Sequence, residues 1–254
     1  MRPLVVMPTF NEVDSLAHAI TAIRTHAPDV DVLVVDDNSP DGTGRLADEL
    51  SEQHPEVRVL HRPEKLGLGP AYRAGLGVGL DEGRQILVEM DADLSHPADR
   101  LPALIAATEH ADLVLGSRYV PGGATENWPW HRRLLSSGGN RYVRIATGIP
   151  VRDATSGFRA FRRPVLEAIG LRDLASDGYS FQLETLLLAW RAGFVIDEIP
   201  ITFTERRAGA SKISRRIVAE AFWRVLAWGA SGPRHPAVAH ERSVAAGKGG
   251  TGLG

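Results

Sequence analysis

Cysteine is absent from the 254 residues, which excludes both a disulfide framework and a thiolate metal site. Net charge is almost absent as well. The 29 basic residues stand against 31 acidic ones, leaving -2, and this argues against a general nucleic-acid binder while still permitting local basic patches. Long apolar runs are missing too. The N-terminal run over 4–7 stops at Pro8, Asn11 and Glu12, too soon for a secretory leader. The most hydrophobic late stretch, 217–230, is broken by Glu220 and Arg224 and falls short of the roughly 20 apolar residues of a spanning helix. The expectation is a soluble, cytosolic chain that at most lies against a membrane. With 43% hydrophobic residues there is ample material for a core, so disorder throughout is excluded.

The first half alternates short apolar runs with amphipathic stretches. Runs at 4–7, 32–35, 57–60, 86–90 and 113–115 read as strands. Helical spacing from Val13 to Ile23, and the segments 43–53, 68–80 and 97–108, read as the helices between them. Strands that alternate with helices imply βαβ units, hence an α/β fold with a mostly parallel central sheet flanked by helices. Apolar runs without polar alternation suit strands covered on both faces. Beyond Arg118 the pattern changes: a turn at Pro121-Gly122-Gly123, then helices expected near 133–147, 164–169, 179–192 and 213–228, with a strand at 194–199. One domain over 1–230 is expected, with a nucleotide-binding half to about 118, an acceptor half over 119–230 and a disordered Gly/Ala/His/Pro-rich tail at 231–254.

Two of these strands end in paired acids, Asp36-Asp37 and Asp91-Ala92-Asp93. In open α/β sheets ligands gather at the carboxyl ends of strands, and alternate residues of an extended segment point the same way. Asp91 and Asp93 can therefore converge. Two hard carboxylates sharing a point repel unless a cation lies between them, and Mg²⁺ or Mn²⁺ shared with ligand phosphates is the natural occupant. A strand-end Asp also serves as a plain helix cap; two pairs on neighbouring strand ends favour metal and nucleotide.

The segments "MPTFNE", "VVDDNSPDGTG", "GLGPAYRAG", "EMDADLSHP" and "GSRY" follow the order and spacing of the GT-A glycosyltransferases that act on nucleotide sugars. "GGATENWPWHRRLLSSGGN", "DATSGFRAFRR" and "ITFTERRAGASKIS" resemble the polyprenol (dolichol) monophosphate mannose synthases in their bacterial form. The resemblance spans about residues 3 to 228. It implies a GT-A fold and metal-dependent, inverting transfer of mannose from GDP-mannose to a polyprenyl monophosphate.

The resemblance also implies roles for single residues. Pro8, Phe10 and Glu12 would bound the guanosine, with Val35 and Asp37 behind it; many members have Tyr in place of Phe10. Asp91 and Asp93 would hold the cation on the diphosphate, with Ala92 nearby and Ser95 as a further metal or phosphate contact where some relatives have Gln. Arg118, Arg206 and Lys212 match donor contacts, the last two on a Gly/Ser-containing loop suited to closing over phosphate. Arg118, Arg132 and Ser136 would seat the acceptor phosphate. Asp91, Asp93 and Arg118 form the expected catalytic set.

Between Arg118 and Arg163 nine arginines stand against only two acids, Glu126 and Asp153. This local excess suits a phosphate ligand or an anionic membrane surface, with Arg141, Arg144 and Arg152 expected to pair with acids elsewhere. Trp128 and Trp130 are candidates for lipid-side contact, as is the 213–228 stripe, which equally suits a helix docked on the core. Peripheral attachment to the inner face of the cell membrane is expected, and some relatives depend on a separate membrane partner. The rivals are transfer of another sugar, such as glucose from UDP-glucose; a dinucleotide-dependent oxidoreductase, on the weak cue of Gly67, Gly69 and Gly75; and a non-catalytic nucleotide-binding module.

Overall fold

The computed structural model describes residues 2–174, 176, 178–204 and 225. The strands β1 (Leu4–Thr9), β2 (Asp31–Asp36), β3 (Val57–His61), β4 (Ile86–Glu89) and β5 (Leu113–Ser117) form where apolar runs were read. Helices α1 (Val13–His26), α2 (Thr43–Gln53), α3 (Leu68–Asp81) and α4 (Leu101–Ala106) connect them. The single helix expected over 97–108 is instead α4 flanked by the 3-10 turns Ala98–Arg100 and Ala107–Glu109, with Pro102 in its opening turn. Proline lacks the amide that a helix interior would use, so a helix starts there rather than running through.

After β5 come β6 (Ala124–Glu126), α5 (Trp130–Thr147), β7 (Arg159–Arg162), α6 (Arg163–Ala168), α7 (Gly178–Arg191), β8 (Ile196–Pro200) and β9 (Thr202–Thr204). Among the described residues a seven-stranded sheet runs β3-β2-β1-β4-β7-β5-β8, and β6 pairs with β9 beside it. Every neighbour pair in the large sheet is parallel except those of β7, which lies antiparallel between β4 and β5. No strand was expected at β7, whose four residues include only two apolar ones, Ala160 and Phe161, and which opens on Arg159. That arginine is wholly buried. The later part of the chain thus inserts a strand into the sheet of the earlier part.

Side chains of β1 alternate between two apolar layers. Leu4 and Val6 enter one with α3 and α7, and Val5 and Met7 enter the other with α1. Both faces are covered, which is why these strands read as unbroken apolar runs. Gly75 and Gly79 let α3 lie close on the sheet: a Cβ at Gly75 would collide with Val6 and Val35, and one at Gly79 with Leu87 and Leu4. Gly75 is therefore a packing residue, which removes the cue for a dinucleotide loop. The order β2-β1-β4 reverses direction at β1, so the cleft opens at the carboxyl ends of these three strands. No helix among the described residues is long and apolar enough to cross a membrane.

Candidate active site

Each strand that opens the cleft ends in a tight turn. Asn11, Asn38 and Leu94 all have φ near +60°, a conformation that asparagine tolerates and leucine seldom adopts. The three turns carry Phe10 and Glu12, Asp36 and Asp37, and Asp91 to Asp93.

The two acid pairs have different fates. Asp36 accepts the Thr9 hydroxyl at 3.1 Å and the Ser39 hydroxyl at 2.6 Å, so it closes the turn after β2. The buried Asp37 is 2.5 Å from the Arg62 guanidinium and accepts the amides of Leu66 and Gly67. Burial raises its pKa against the pull of Arg62. The pair after β2 is thus engaged by the protein's own chain, and Asp37 tethers the loop before α3. That loop sets the Lys65 ammonium 3.6 Å from the centre of the Phe10 ring, a contact that no sequence motif announced. Pro8 pairs with the buried Val35 across β1 and β2, and Glu12 accepts the Ser15 hydroxyl at 2.9 Å.

Asp91 and Asp93 stand on the turn after β4. Asp91 Oδ1 accepts the Tyr72 hydroxyl at 2.8 Å, and the Asp91 amide donates to His96 Nδ1 at 3.0 Å. Asp93 Oδ1 accepts the Ser95 amide at 3.0 Å, and Ala92 between them is buried. Tyr72 is fully buried, and burial together with the negative field of Asp91 and Glu89 pushes its pKa well up, so it stays a donor. The buried Ser95 hydroxyl has no hydrogen-bond partner among the described residues. No cluster of three or more acidic, histidine or cysteine side chains suited to a metal ion forms among the described residues. The protein therefore offers two carboxylates and a hydroxyl on one turn. That donor set fits a hard divalent cation completed by ligand phosphates, and fits poorly a cation caged by protein alone.

The arginine side of the cleft is built on Trp128. The Arg118 guanidinium lies 5.3 Å from its ring centre and that of Arg132 lies 4.3 Å away. Arg118 also forms a two-pronged bond with the buried Asp153, Nε at 2.7 Å and Nη2 at 2.6 Å, and reaches the Thr155 hydroxyl at 2.9 Å. Ser136, one turn after Arg132 on α5, accepts the Asn140 amide through its carbonyl. Trp128 is only 7% exposed, so the expectation that it meets lipid is corrected: the indole is a platform for two cations inside the fold. Trp130 is 75% exposed. Among the described residues no ion pair involves Arg141, Arg144 or Arg152.

The acidic turn and the arginine side are continuous. The His96 ring lies 5.4 Å from Phe158 and 5.7 Å from Phe203, and Phe203 meets Trp128 edge-on at 5.5 Å. β9 brings Phe203 there, and the Thr204 amide donates to the Ser95 carbonyl at 3.4 Å. Arg206 and Lys212 follow Thr204 in sequence but lie outside the described residues, as do most of 213–228 and all of 231–254. Within 213–228, Val225 is described, and it is buried in the core. Tyr72, His96, Asp153 and Phe203 were passed over as site residues in the sequence, although all four fall inside the quoted motifs.

The pattern of the family described as Glycosyl transferase family 2 matches residues 4–170. The chain belongs to that family. It is 50% identical over 236 residues to a polyprenol monophosphomannose synthase of Mycolicibacterium smegmatis, covering 91% of this chain and 88% of that one. It is 49% identical over 229 residues to an undecaprenyl-phosphate mannosyltransferase of Micrococcus luteus, covering 90% and 94%. A dolichol-phosphate mannosyltransferase of Pyrococcus furiosus is 35% identical, and 64% of its length is covered. Solved GT-A structures share the fold. A mannosyltransferase from Pyrobaculum calidifontis in complex with GDP-Man and Mn²⁺ superposes with TM-score 0.58 at 19% identity, covering 91% of this chain and 63% of that one. Glucosyl-3-phosphoglycerate synthase from Mycobacterium tuberculosis with Mn²⁺ and UDP-glucose gives 0.60 at 18%, covering 91% and 78%.

Proposed function

We propose that this family 2 glycosyltransferase moves mannose from GDP-mannose to a polyprenyl monophosphate, with inversion, using Mg²⁺ or Mn²⁺. The observation that carries the reading is the continuity just described: a two-carboxylate turn joined through His96 and Phe203 to an arginine pair on Trp128. A place for a diphosphate and a place for a second phosphate are thereby held by one connected set of side chains. The names of relatives that cover most of both chains support mannose as the sugar and a polyprenyl phosphate as the acceptor.

A divalent cation bound by Asp91 and Asp93, with Ser95 beside them, would neutralise the departing diphosphate. The chain's own work is alignment and charge. Pro8, Phe10, Glu12 and Val35 bound the nucleoside side, and Asp37 holds the neighbouring loop in place. A phosphate acceptor is already anionic near neutral pH, so no side chain has to remove a proton from it. Arg118 and Arg132 with Ser136 receive it and hold it in line. Arg206 and Lys212, which follow β9 in the sequence, would add positive charge for the donor's diphosphate.

The acceptor's tail calls for a membrane, and α5 suits one. From 127 to 152 there is no acid, while Arg132, Arg133, Arg141, Arg144 and Arg152 are present. Trp130, Leu134, Gly138, Arg141 and Ile145 recur at helical spacing, and all are exposed. A cationic helix with exposed apolar residues suits the headgroup layer of an anionic leaflet, here the inner face of the cell membrane.

The donor is tested by offering GDP-mannose and UDP-glucose together with a short polyprenyl phosphate. The reading expects mannosyl lipid as the dominant product, and preferential glucosyl transfer would overturn it.

A further inference from the structure

Asp91 is fixed from two sides by residues outside the proposed cation-binding set. Its backbone amide donates to His96 Nδ1 at 3.0 Å, and its Oδ1 accepts the Tyr72 hydroxyl at 2.8 Å. An imidazole nitrogen that accepts an amide proton carries none itself, so the ring's proton is on Nε2. His96 is 4% exposed and is held between Phe158 and Phe203, so it has little freedom to turn. The turn it closes contains Leu94 at φ 63°. A leucine held in that region needs its surroundings to fix it. Tyr72 comes from α3, which Gly75 and Gly79 allow to press on the sheet. Neither ring stands among the residues proposed to touch the donor or acceptor.

We infer that His96 and Tyr72 are positioning residues that preset Asp91 for the divalent cation. His96 sets the backbone of the turn, and Tyr72 occupies one carboxylate oxygen so that the other faces the ion. This rests on the proposed cation site at Asp91 and Asp93. Through Phe203 and Trp128 the same imidazole also abuts the arginine pair, so its ring ties the position of the acidic turn to the phosphate seat across the cleft.

The test is Mn²⁺ binding in the presence of GDP, read from the loss of the free-Mn²⁺ electron paramagnetic resonance signal, with thermal melts to verify folding. His96→Ala and Tyr72→Phe should weaken Mn²⁺ about 10- to 100-fold, the range for partners that orient metal ligands. His96→Asn can place its amide oxygen where Nδ1 stands and should recover most of the loss; His96→Gln, with its oxygen one carbon further out, should not. Tyr72→Phe should leave the KM for polyprenyl phosphate unchanged. A purely packing role predicts that Asn rescues no better than Gln, and that result overturns the inference. So does wild-type Mn²⁺ affinity in a folded His96→Ala or Tyr72→Phe. If the wild-type protein with GDP captures no Mn²⁺, the cation site itself is wrong and the inference falls with it.

Discussion

Asp91 and Asp93 bear the strictest demand in the cleft, because two neighbouring carboxylates without a cation repel. Replacing either by Asn keeps size while removing charge. Transfer should fall by about 100-fold or more, with the melting temperature unchanged or raised; near-normal rates in either variant would remove the cation from the site. Arg118 makes a different demand. Its fork is matched to Asp153 at 2.6 and 2.7 Å, and lysine keeps the charge but not the fork. In steady-state assays Arg118→Lys should raise the acceptor KM about tenfold; an unchanged acceptor KM would place the phosphate elsewhere. Glu89 supplies a pH test. It lies opposite Arg159 across β4 and β7, and burial pushes its carboxyl up to about 7 while Arg159 pulls it down. The folded chain thus holds a proton that the unfolded chain releases near 4.5, so stability falls as pH rises from 4.5 to about 7 and is level beyond. Melting temperatures of the metal-free protein should show that decline, and Glu89→Gln should flatten it. At this scale the place of Asp91 and Asp93 on the turn after β4 was legible in the sequence, because the apolar run before them fixes where the strand ends. Trp128 was misleading as a lipid contact, and the Arg62 partner of Asp37 was not foreseen, since the meeting of Asp37 with Arg62 and of Trp128 with Arg118 and Arg132 depends on how distant turns meet.

Elements followed the sequence wherever hydrophobic period and packing agreed. The strands β1 to β5 and the helix α2 formed as read, because apolar runs covered on both faces and a clean amphipathic stripe leave little choice. β7 escaped notice because it opens on the buried Arg159, which bonds to the carbonyls of Ala154, Ser156 and Gln182. A charge satisfied by backbone carbonyls is invisible to a reading based on hydrophobicity. α3 is a helix whose glycines exist for contact. Gly75→Val would force Val6 and Val35 aside and should cost about 1–3 kcal/mol by denaturant unfolding, with the Mn²⁺ requirement rising as Tyr72 shifts. α5 makes the opposite case, a helix whose outward face packs on nothing in the described chain. Trp130→Ser with Leu134→Ser should abolish flotation with anionic phosphatidylglycerol vesicles while leaving the fold intact. Equal flotation of variant and wild type would move the membrane contact off α5.

The whole molecule is a sheet whose order brings distant sequence together. β1, β2 and β4 open the donor side; β7, inserted from the second half, lies between β4 and β5; and β9 returns to lay Phe203 and Thr204 against the acidic turn. The GT-A character was legible from the succession of motifs, while the joining of the acidic turn to the arginine pair through His96, Phe203 and Trp128 became visible only in three dimensions. Under the proposed function, that joining lets one cation and one arginine pair act on the same reaction. The most direct test is single-turnover transfer from GDP-mannose to polyprenyl phosphate in wild-type protein, stripped by chelator and then supplied with Mn²⁺. Product should vanish on stripping and return in full on addition of the metal. Undiminished product in chelator would contradict a cation at Asp91 and Asp93.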